Sequence, residues 1–476
     1  MVHMISTENP SEGVSRTKMA FIGGAFLVSL TSFVVQTEFT SQVYKIGFSE
    51  PLVLLWITHG MWWILWPIQA ISAASYRTFN KWRSSTAPVV VVGRGAASSS
   101  AHYERLPINS SDPLDLEDPH AVVMKQKLRL YSYFKKCIVK QLHNIYHTAV
   151  VIYEANVNGD TSTEELNKLI ERNPKLSSSS SVLDCARSMI TTPAIKYLLK
   201  YSFYITVVLT LAGCTWYAAM ALTFASDVTA IYNCSAFTAY AFAIPMLHEK
   251  FSWLKVSSVF IAITGVFIVS YSGSSDDANT EYPYRLWGNL LILFGAVLYG
   301  YYECLYKKYC CIPNHLARYI SPRRQSSFAN FVMALFGVYT FIILTSCMLI
   351  SELTGIHRFK FYYGENNTRV WSLVIGSIAG NLLFSGSFLL LMALTSPVLS
   401  SVSSLVTIFI IGVVEWVLFD NALSSQQLLG DFLIIIGFLL LTYASWKEIT
   451  EGSDDANDMD GVSTYSFAVS AASDNE

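Results

Sequence analysis

The chain has 476 residues, of which 52% are hydrophobic and only 14% charged, with a mean hydropathy of +0.39 and a formal net charge of -2. A water-soluble domain needs a solvated, charged surface that this balance does not supply, so a lipid bilayer is the natural solvent. Neither a basic domain nor a zinc-type Cys/His spacing accompanies it, which argues against a nucleic-acid partner. No Gly-x-Ser-x-Gly elbow, His-Glu-x-x-His pair or ATP-binding P-loop is visible, so no catalytic residue, metal or cofactor is expected and the chain is not read as an enzyme. Aromatic residues reach 14%, with 27 Tyr and 11 Trp, as expected where many helix ends sit at headgroup depth.

A spanning helix needs roughly 20 mostly apolar residues, because about 1.5 Å of rise per residue must cross about 30 Å of hydrocarbon. Residues 1–18 read as a polar cytosolic tail, and the apolar run after them is too long for a signal-peptide core, so it is expected to be a retained helix. Ten stretches qualify as spans 1 to 10: residues 19–37, 52–73, 201–222, 228–247, 253–272, 286–306, 327–350, 370–394, 397–419 and 427–446. By composition, 19–74 holds spans 1 and 2, 75–196 a cytosolic insertion, 197–273 spans 3 to 5, 286–307 span 6, 308–326 a basic cytosolic loop, 327–447 spans 7 to 10, and 448–476 an acidic cytosolic tail. The predicted fold class is therefore an all-α membrane protein with ten transmembrane helices.

Lys and Arg set the orientation, since cytosolic loops retain them. With the amino terminus inside, the cytosolic flanks collect Arg16, Lys18, Arg77, Lys81, Arg83, Lys196, Lys200, Lys250, Lys255, Lys307, Lys308, Arg318, Arg323, Arg324 and Lys447, whereas the opposite side keeps Lys45, Arg285, Arg358, Lys360 and Arg369. Both termini are expected in the cytosol. The sequon Asn366-Asn367-Thr368 then falls in a lumenal or external loop, where Asn366 is a glycosylation candidate.

The insertion turns Ser-rich and charged and is expected to be largely disordered. Within it, residues 124–153 space Leu130, Phe134, Ile138, Leu142, Ile145 and Ile152 mostly three or four apart among six Lys and Arg. This is an amphipathic helix, covered either by an anionic leaflet or by the protein itself. Cys310 and Cys311 follow span 6 and read as free juxtamembrane thiols or acylation sites.

Sliding the chain against itself by 172 residues aligns Met220-Ala221-Leu222-Thr223 with Met392-Ala393-Leu394-Thr395, and in the same register Phe237 with Phe409, Ser252 with Ser424, Gly265 with Gly437 and Tyr271 with Tyr443. Spans 3 to 5 thus match spans 8 to 10. A repeat unit of five helices inverts its second copy, and two inverted repeats around a midplane site are a transporter architecture.

Several stretches resemble the drug/metabolite transporter superfamily of the EamA type, in particular the solute carrier 35 F-type proteins and their fungal vacuolar relatives. These are Leu286-Trp287-Gly288-Asn289-Leu290-Leu291 running on through Gly295-Ala296-Val297-Leu298-Tyr299-Gly300 to Lys307 and Lys308, the Ala221-Leu222 helix end, Glu249 after span 4, Gly265, and Leu394-Thr395-Ser396-Pro397 before span 9. The resemblance implies a ten-helix bundle with a central cavity, alternating access, a small-molecule substrate, an internal membrane such as the vacuolar or Golgi membrane, and room for a homodimer. The Phe-Tyr-Asn-Asn and Gly-Ala-Leu-Asn-Lys motifs of nucleotide-sugar carriers are missing.

Ionisable groups at membrane depth cost on the order of 2.5–3.5 kcal/mol each, so they should face a cavity or a partner. Glu415 is the deepest, and binds a cationic group or a proton, or bonds a neighbouring helix. Asp227 opens span 4, where capping is an alternative. Glu303 stands one turn before Lys307 and pairs with it or with cargo, and Glu38 lies nearer a helix end. Tyr232, Asn233 and Ser235 on span 4, Tyr299, Tyr301 and Tyr302 on span 6, and Asn381 on span 8 line a pocket or bridge helices. A non-transporting receptor or regulator acting through the insertion is the rival expectation.

Overall fold

The computed structural model describes residues 10–86, 89–93, 103–107, 121–123, 130–157, 182–220, 222, 228, 231–271, 284–313, 320, 322–395 and, in span 10, most of 425–444. They fall into two units, a larger one of residues 1–66, 145–173 and 190–476 and a smaller one of 67–144 and 174–189. Every described span is helical, mostly α. Six helices are long and apolar enough to cross a membrane: Ile22–Thr40, Pro51–Arg83, Pro193–Ala219, Leu286–Cys310, Arg323–Thr354 and Gly364–Leu394. They fall on predicted spans 1, 2, 3, 6, 7 and 8. The shorter apolar helices Ile231–Leu247, Trp253–Ile268 and Leu428–Leu441 fall on spans 4, 5 and 10, and span 9 lies outside the described residues.

Local chemistry explains the irregular points. Span 2 opens on Glu50 with Pro51 in its first turn, where a missing N–H costs nothing. It tightens into a 3-10 turn over Met61–Ile64 just ahead of Pro67, whose ring nitrogen has no hydrogen to return to the preceding turn. Span 4 is interrupted by a turn at Cys234 and carries Pro245 inside its helix. Glu249 and Lys255, across the turn between spans 4 and 5, form a 3.3 Å ion pair in which Lys255 is almost wholly enclosed.

Lipid tails are as apolar as leucine, so close backbone approach, more than hydrophobic burial, holds helices together in a bilayer. In the larger unit span 1 packs on span 8 and span 6 on span 3; span 2 crosses span 7; span 2 touches spans 3 and 8, and span 7 touches spans 8 and 3. Where span 5 meets span 10, a Cβ added at Gly265 would lie 2.5 Å from the Gly430 carbonyl oxygen and 2.9 Å from the Ile434 nitrogen. One added at Gly437 would lie 2.7 Å from both the Ala262 Cβ and the Ser258 carbonyl oxygen. Each glycine meets residues upstream of the other, so the helices cross antiparallel. Gly23 and Gly24 of span 1, by contrast, have nothing within 4 Å of such a Cβ.

The amphipathic helix runs from Leu130 to Val157. In its second half Ile145, Ala149, Val151 and Ile152 are each only 1% exposed. Tyr153 lies edge-on to Tyr197 at 5.6 Å, and the Arg324 Nε–H donates to the Thr148 hydroxyl at 3.1 Å. Of the two coverings the sequence left open, protein covers this half, seating it against Tyr197 at the start of the span 3 helix and Arg324 at the start of the span 7 helix. In the smaller unit Cys137 bonds Thr78 and Tyr133, and burial pushes its thiol up against the opposing pull of Arg77. That unit also holds a three-stranded antiparallel sheet in the order β2-β1-β3, with β1 Val89–Gly93, β2 Tyr103–Pro107 and β3 Ala121–Val123. The four valines of β1 favour an extended, pleated chain, a signal hidden in a segment whose overall composition suggested disorder.

Candidate functional site

Tyr299, Tyr302, Glu303 and Tyr306 recur at three- and four-residue steps along span 6 and so share one face. That face is the buried one: Glu303 and Tyr306 are fully enclosed and Tyr302 nearly so. Tyr232 of span 4 meets Tyr299 with ring centroids 5.1 Å apart, Tyr299 meets Tyr302 at 5.3 Å, and Phe336 of span 7 stands edge-on to Tyr302 at 6.2 Å and to Tyr306 at 6.1 Å. The Glu303 carboxylate acts electrostatically on the hydroxyls of Tyr232, Tyr299 and Tyr302. Tyr232 is likewise within range of Tyr217 on span 3, which hydrogen-bonds Thr58 on span 2. A polar, ring-lined path thus joins spans 2, 3, 4, 6 and 7 around one carboxylate. The break in span 4 at Cys234 falls beside Tyr232 and Asn233; non-helical backbone at membrane depth is tolerated only where protein buries it or a cavity is lined.

Of the residues singled out from the sequence, Tyr232, Tyr299, Tyr302 and Glu303 come together, with Asn233 half-buried next to the break. Tyr301 does not join them: its hydroxyl pairs with that of Tyr204 at 3.3 Å on an exposed face. Asn381 is buried but serves a different group, its side-chain oxygen accepting the Trp62 indole N–H at 2.6 Å. Glu38 is half-buried two turns before the end of the first helix. Asp227 and Glu415 lie outside the described residues. Asn366 is exposed at the start of the span 8 helix.

Three features escaped the sequence reading. Lys307 Nζ donates to the carbonyl oxygens of Met392, Ala393 and Thr395 at 3.1, 3.0 and 2.6 Å. A cation is thereby set on the unsatisfied carbonyls that end span 8. Cys310 and Cys311 are enclosed rather than presented at the surface, and with Gln325, Phe328 and Ala393 they line a small cleft. Burial pushes the Cys311 thiol up to about 11, which leaves little thiolate for acylation at neutral pH. The third is His59 on span 2, stacked on Trp62 at 4.0 Å; it is the sole histidine among residues 52–73 and went unremarked beside the carboxylates.

At the other end of the bundle from Lys307, Glu50 accepts from His357 Nε2 at 2.9 Å and from the Lys360 N–H at 3.3 Å, tying the loop after span 7 to the start of span 2. Beneath it Val43, Phe48, Val53, Leu54, Leu344, Val370 and Val374 form a continuous apolar plug.

No family model matches the chain. Curated relatives do. An uncharacterized transporter of Schizosaccharomyces pombe is 25% identical over 254 residues, which is 50% of this chain and 69% of the relative. The thiamine-repressible mitochondrial transport protein of Saccharomyces cerevisiae is 22% identical over 57% of this chain and 69% of its own length. An uncharacterized vacuolar membrane protein of the same yeast is 24% identical over 52% of this chain and 61% of its own. The chain is a multi-pass membrane protein related at low identity to proteins named for transport.

Proposed function

We propose that the chain is a secondary transporter of the drug/metabolite transporter superfamily, EamA type, moving a small metabolite across an internal membrane, vacuolar or Golgi, by alternating access between two inverted five-helix repeats. The observation that carries this reading is the crossing of spans 5 and 10. Adding 172 to Ser258, Ala262 and Gly265 gives Gly430, Ile434 and Gly437, so the two glycines contact each other's helix through equivalent residues. Equivalent helices that cross antiparallel are related by a two-fold axis across them, in the membrane plane, which is the symmetry of an inverted repeat. The neighbour pattern supports it: exchanging spans 1, 2 and 3 for 6, 7 and 8 turns the 1–8 pair into 6–3, keeps 2–7, and turns 2–3 and 2–8 into 7–8 and 7–3.

In this reading cargo sits against Glu303 and the tyrosines. A carboxylate fully enclosed at membrane depth favours a cationic group, and tyrosine faces add about 0.5–2 kcal/mol of cation–π attraction. The apolar plug and the Glu50–His357 link close one end, and the Lys307 bonds to the end of span 8 tie the other. Rocking of the halves would open the two ends in turn. With no P-loop in view, gradients or exchange drive the cycle. Glu415 and Asp227 remain candidates for the same pocket.

The test is uptake from a whole-cell metabolite extract into vesicles reconstituted with the full chain, read by mass spectrometry. At least one cationic metabolite is expected to accumulate above protein-free vesicles, and Glu303→Gln to cut that uptake at least about tenfold, since removing a hydrogen-bonded charge partner costs about 1.5–3 kcal/mol. Vesicles that load nothing above background count against transport. The second reading, a regulator acting through the insertion, is favoured by the seating of residues 145–157 on spans 3 and 7.

A further inference from the structure

Among the buried side-chain atoms without a hydrogen-bond partner among the described residues are three that can accept, Gln36 Oε1 on span 1, His59 Nδ1 on span 2 and Thr340 Oγ1 on span 7; the Trp66 indole N–H on span 2 is a donor likewise without a partner. The three acceptors stand at one level of the bundle. The Gly380 Cβ position lies 2.9 Å from the Gln36 nitrogen, and its neighbour Asn381 holds the Trp62 indole, against which His59 stacks. Gly337 of span 7 abuts the backbone of Trp62 and Trp63, and Thr340, fully enclosed, is one turn further on. One turn before Thr340 is Phe336, which packs on Tyr302 of the tyrosine cluster. Thr58, next to His59, leads to the same cluster through Tyr217 and Tyr232.

Buried polar groups at membrane depth are ordinarily satisfied. Here three on spans 1, 2 and 7 are unsatisfied near the tyrosine cluster, and what they need in common is a donor. Gln36 Oε1 can only accept, and a neutral imidazole nitrogen and a hydroxyl can each accept. Spans 2, 7 and 8 carry no Asp, Glu, Lys or Arg within two turns of His59, Thr340 or Asn381. On span 1 Glu38 is two residues from Gln36, off its face of the helix. A site without charge of its own suits a neutral group better than an ion.

Resting on the transport reading above, we infer that Gln36, His59 and Thr340 form a second, uncharged subsite that accepts hydrogen bonds from a neutral N–H-bearing group of the cargo, a carboxamide or its like, while Glu303 and the tyrosines hold a cationic part. The cargo class is then a small cation with a separate amide-type donor.

Two probes that differ by one carboxamide test this: N-methylpyridinium and 1-methylnicotinamide, each titrated against the melting temperature of the full chain in lipid nanodiscs. The carboxamide is expected to tighten the apparent Kd at least fivefold. Gln36→Leu and His59→Phe should erase that preference while N-methylpyridinium still binds, and Glu303→Gln should weaken both probes. Thr340→Val, nearly isosteric, repeats the test if either of the other variants does not fold. Equal binding of the two probes, with both weakened by Glu303→Gln, overturns the subsite and leaves the cationic pocket standing, the three atoms then being satisfied by structural water only. Binding of neither probe, or a preference that survives all three subsite variants, also overturns it, and the extract-uptake experiment still judges transport by itself.

Discussion

Alanine at Gly265 or Gly437 is expected to lower the stability of the protein by about 1–3 kcal/mol each, and valine by more, because overpacking an interface forces backbone apart. The contacts leave no soft neighbour to yield. At Gly265 the new Cβ would sit 2.5 Å from a carbonyl oxygen and 2.9 Å from a backbone nitrogen, and at Gly437 it would meet another Cβ and a carbonyl at 2.7 Å. Since both substitutions wedge the same crossing, the double variant should cost less than the sum of the singles, as for residues that share an interface. Gly23→Ala and Gly24→Ala, which add a Cβ into open space, should fall within about 0.5 kcal/mol of the parent. Equilibrium unfolding in mixed micelles checks all five; equal effects at Gly23 and Gly265 would remove the crossing from the account.

Deleting residues 84–190 should destabilise the membrane part itself, whereas replacing 88–128 with a flexible linker should not. The full deletion strips the seat formed by Ile145, Ala149, Val151 and Ile152, all 1% exposed, together with the Thr148–Arg324 and Tyr153–Tyr197 contacts. At about 1.5–3 kcal/mol for a fully buried aliphatic side chain, the loss is on the order of 5 kcal/mol. The shorter replacement keeps the helix from Leu130. Thr86 and Leu130 each lie about 10–12 Å along their helices from the Thr78–Cys137 contact, so about twelve Gly/Ser residues reach between them at any crossing angle. Melting of the two variants against the parent decides it. The shorter one is also the fair test of a regulatory insertion: a transporter keeps basal uptake, and a scaffold loses its role.

The six long spans were legible because about 20 apolar residues in a row have one stable answer in a bilayer. Span 4 was less so: the turn at Cys234 and Pro245 inside the helix shorten it below what its apolar length suggested. For Leu130–Val157 periodicity marked the apolar face but not its covering, since a lipid surface and the ends of spans 3 and 7 ask for the same side chains. The tyrosines and Glu303 could be named from their depth, and their three- and four-residue steps placed them on one face. Which neighbours share an enclosure could not be read, so Tyr301 was grouped with them although it looks the other way. Asn381 could be marked from its polarity within an apolar run, and only the fold shows that its oxygen accepts from Trp62. The group at Gln36, His59 and Thr340 draws on three separate spans, and no spacing within one segment announces it. Lys307 was counted for the orientation of its loop, while its bond partners lie on span 8 and are brought to it only by packing.

The inverted repeat is tested most directly by one pair of positions. Ser252, in the turn between spans 4 and 5, and Ser424, its equivalent 172 residues on, are each changed to Cys in a background lacking the exposed Cys347, and sealed organelles are treated with a membrane-impermeant maleimide before and after permeabilisation. Inversion predicts that Ser252→Cys labels from the cytosol in intact organelles and that Ser424→Cys labels only once the membrane is opened. Labelling of both from the same side would mean parallel halves, and the two-fold axis, the alternating pocket and the transport reading built on them would fall together.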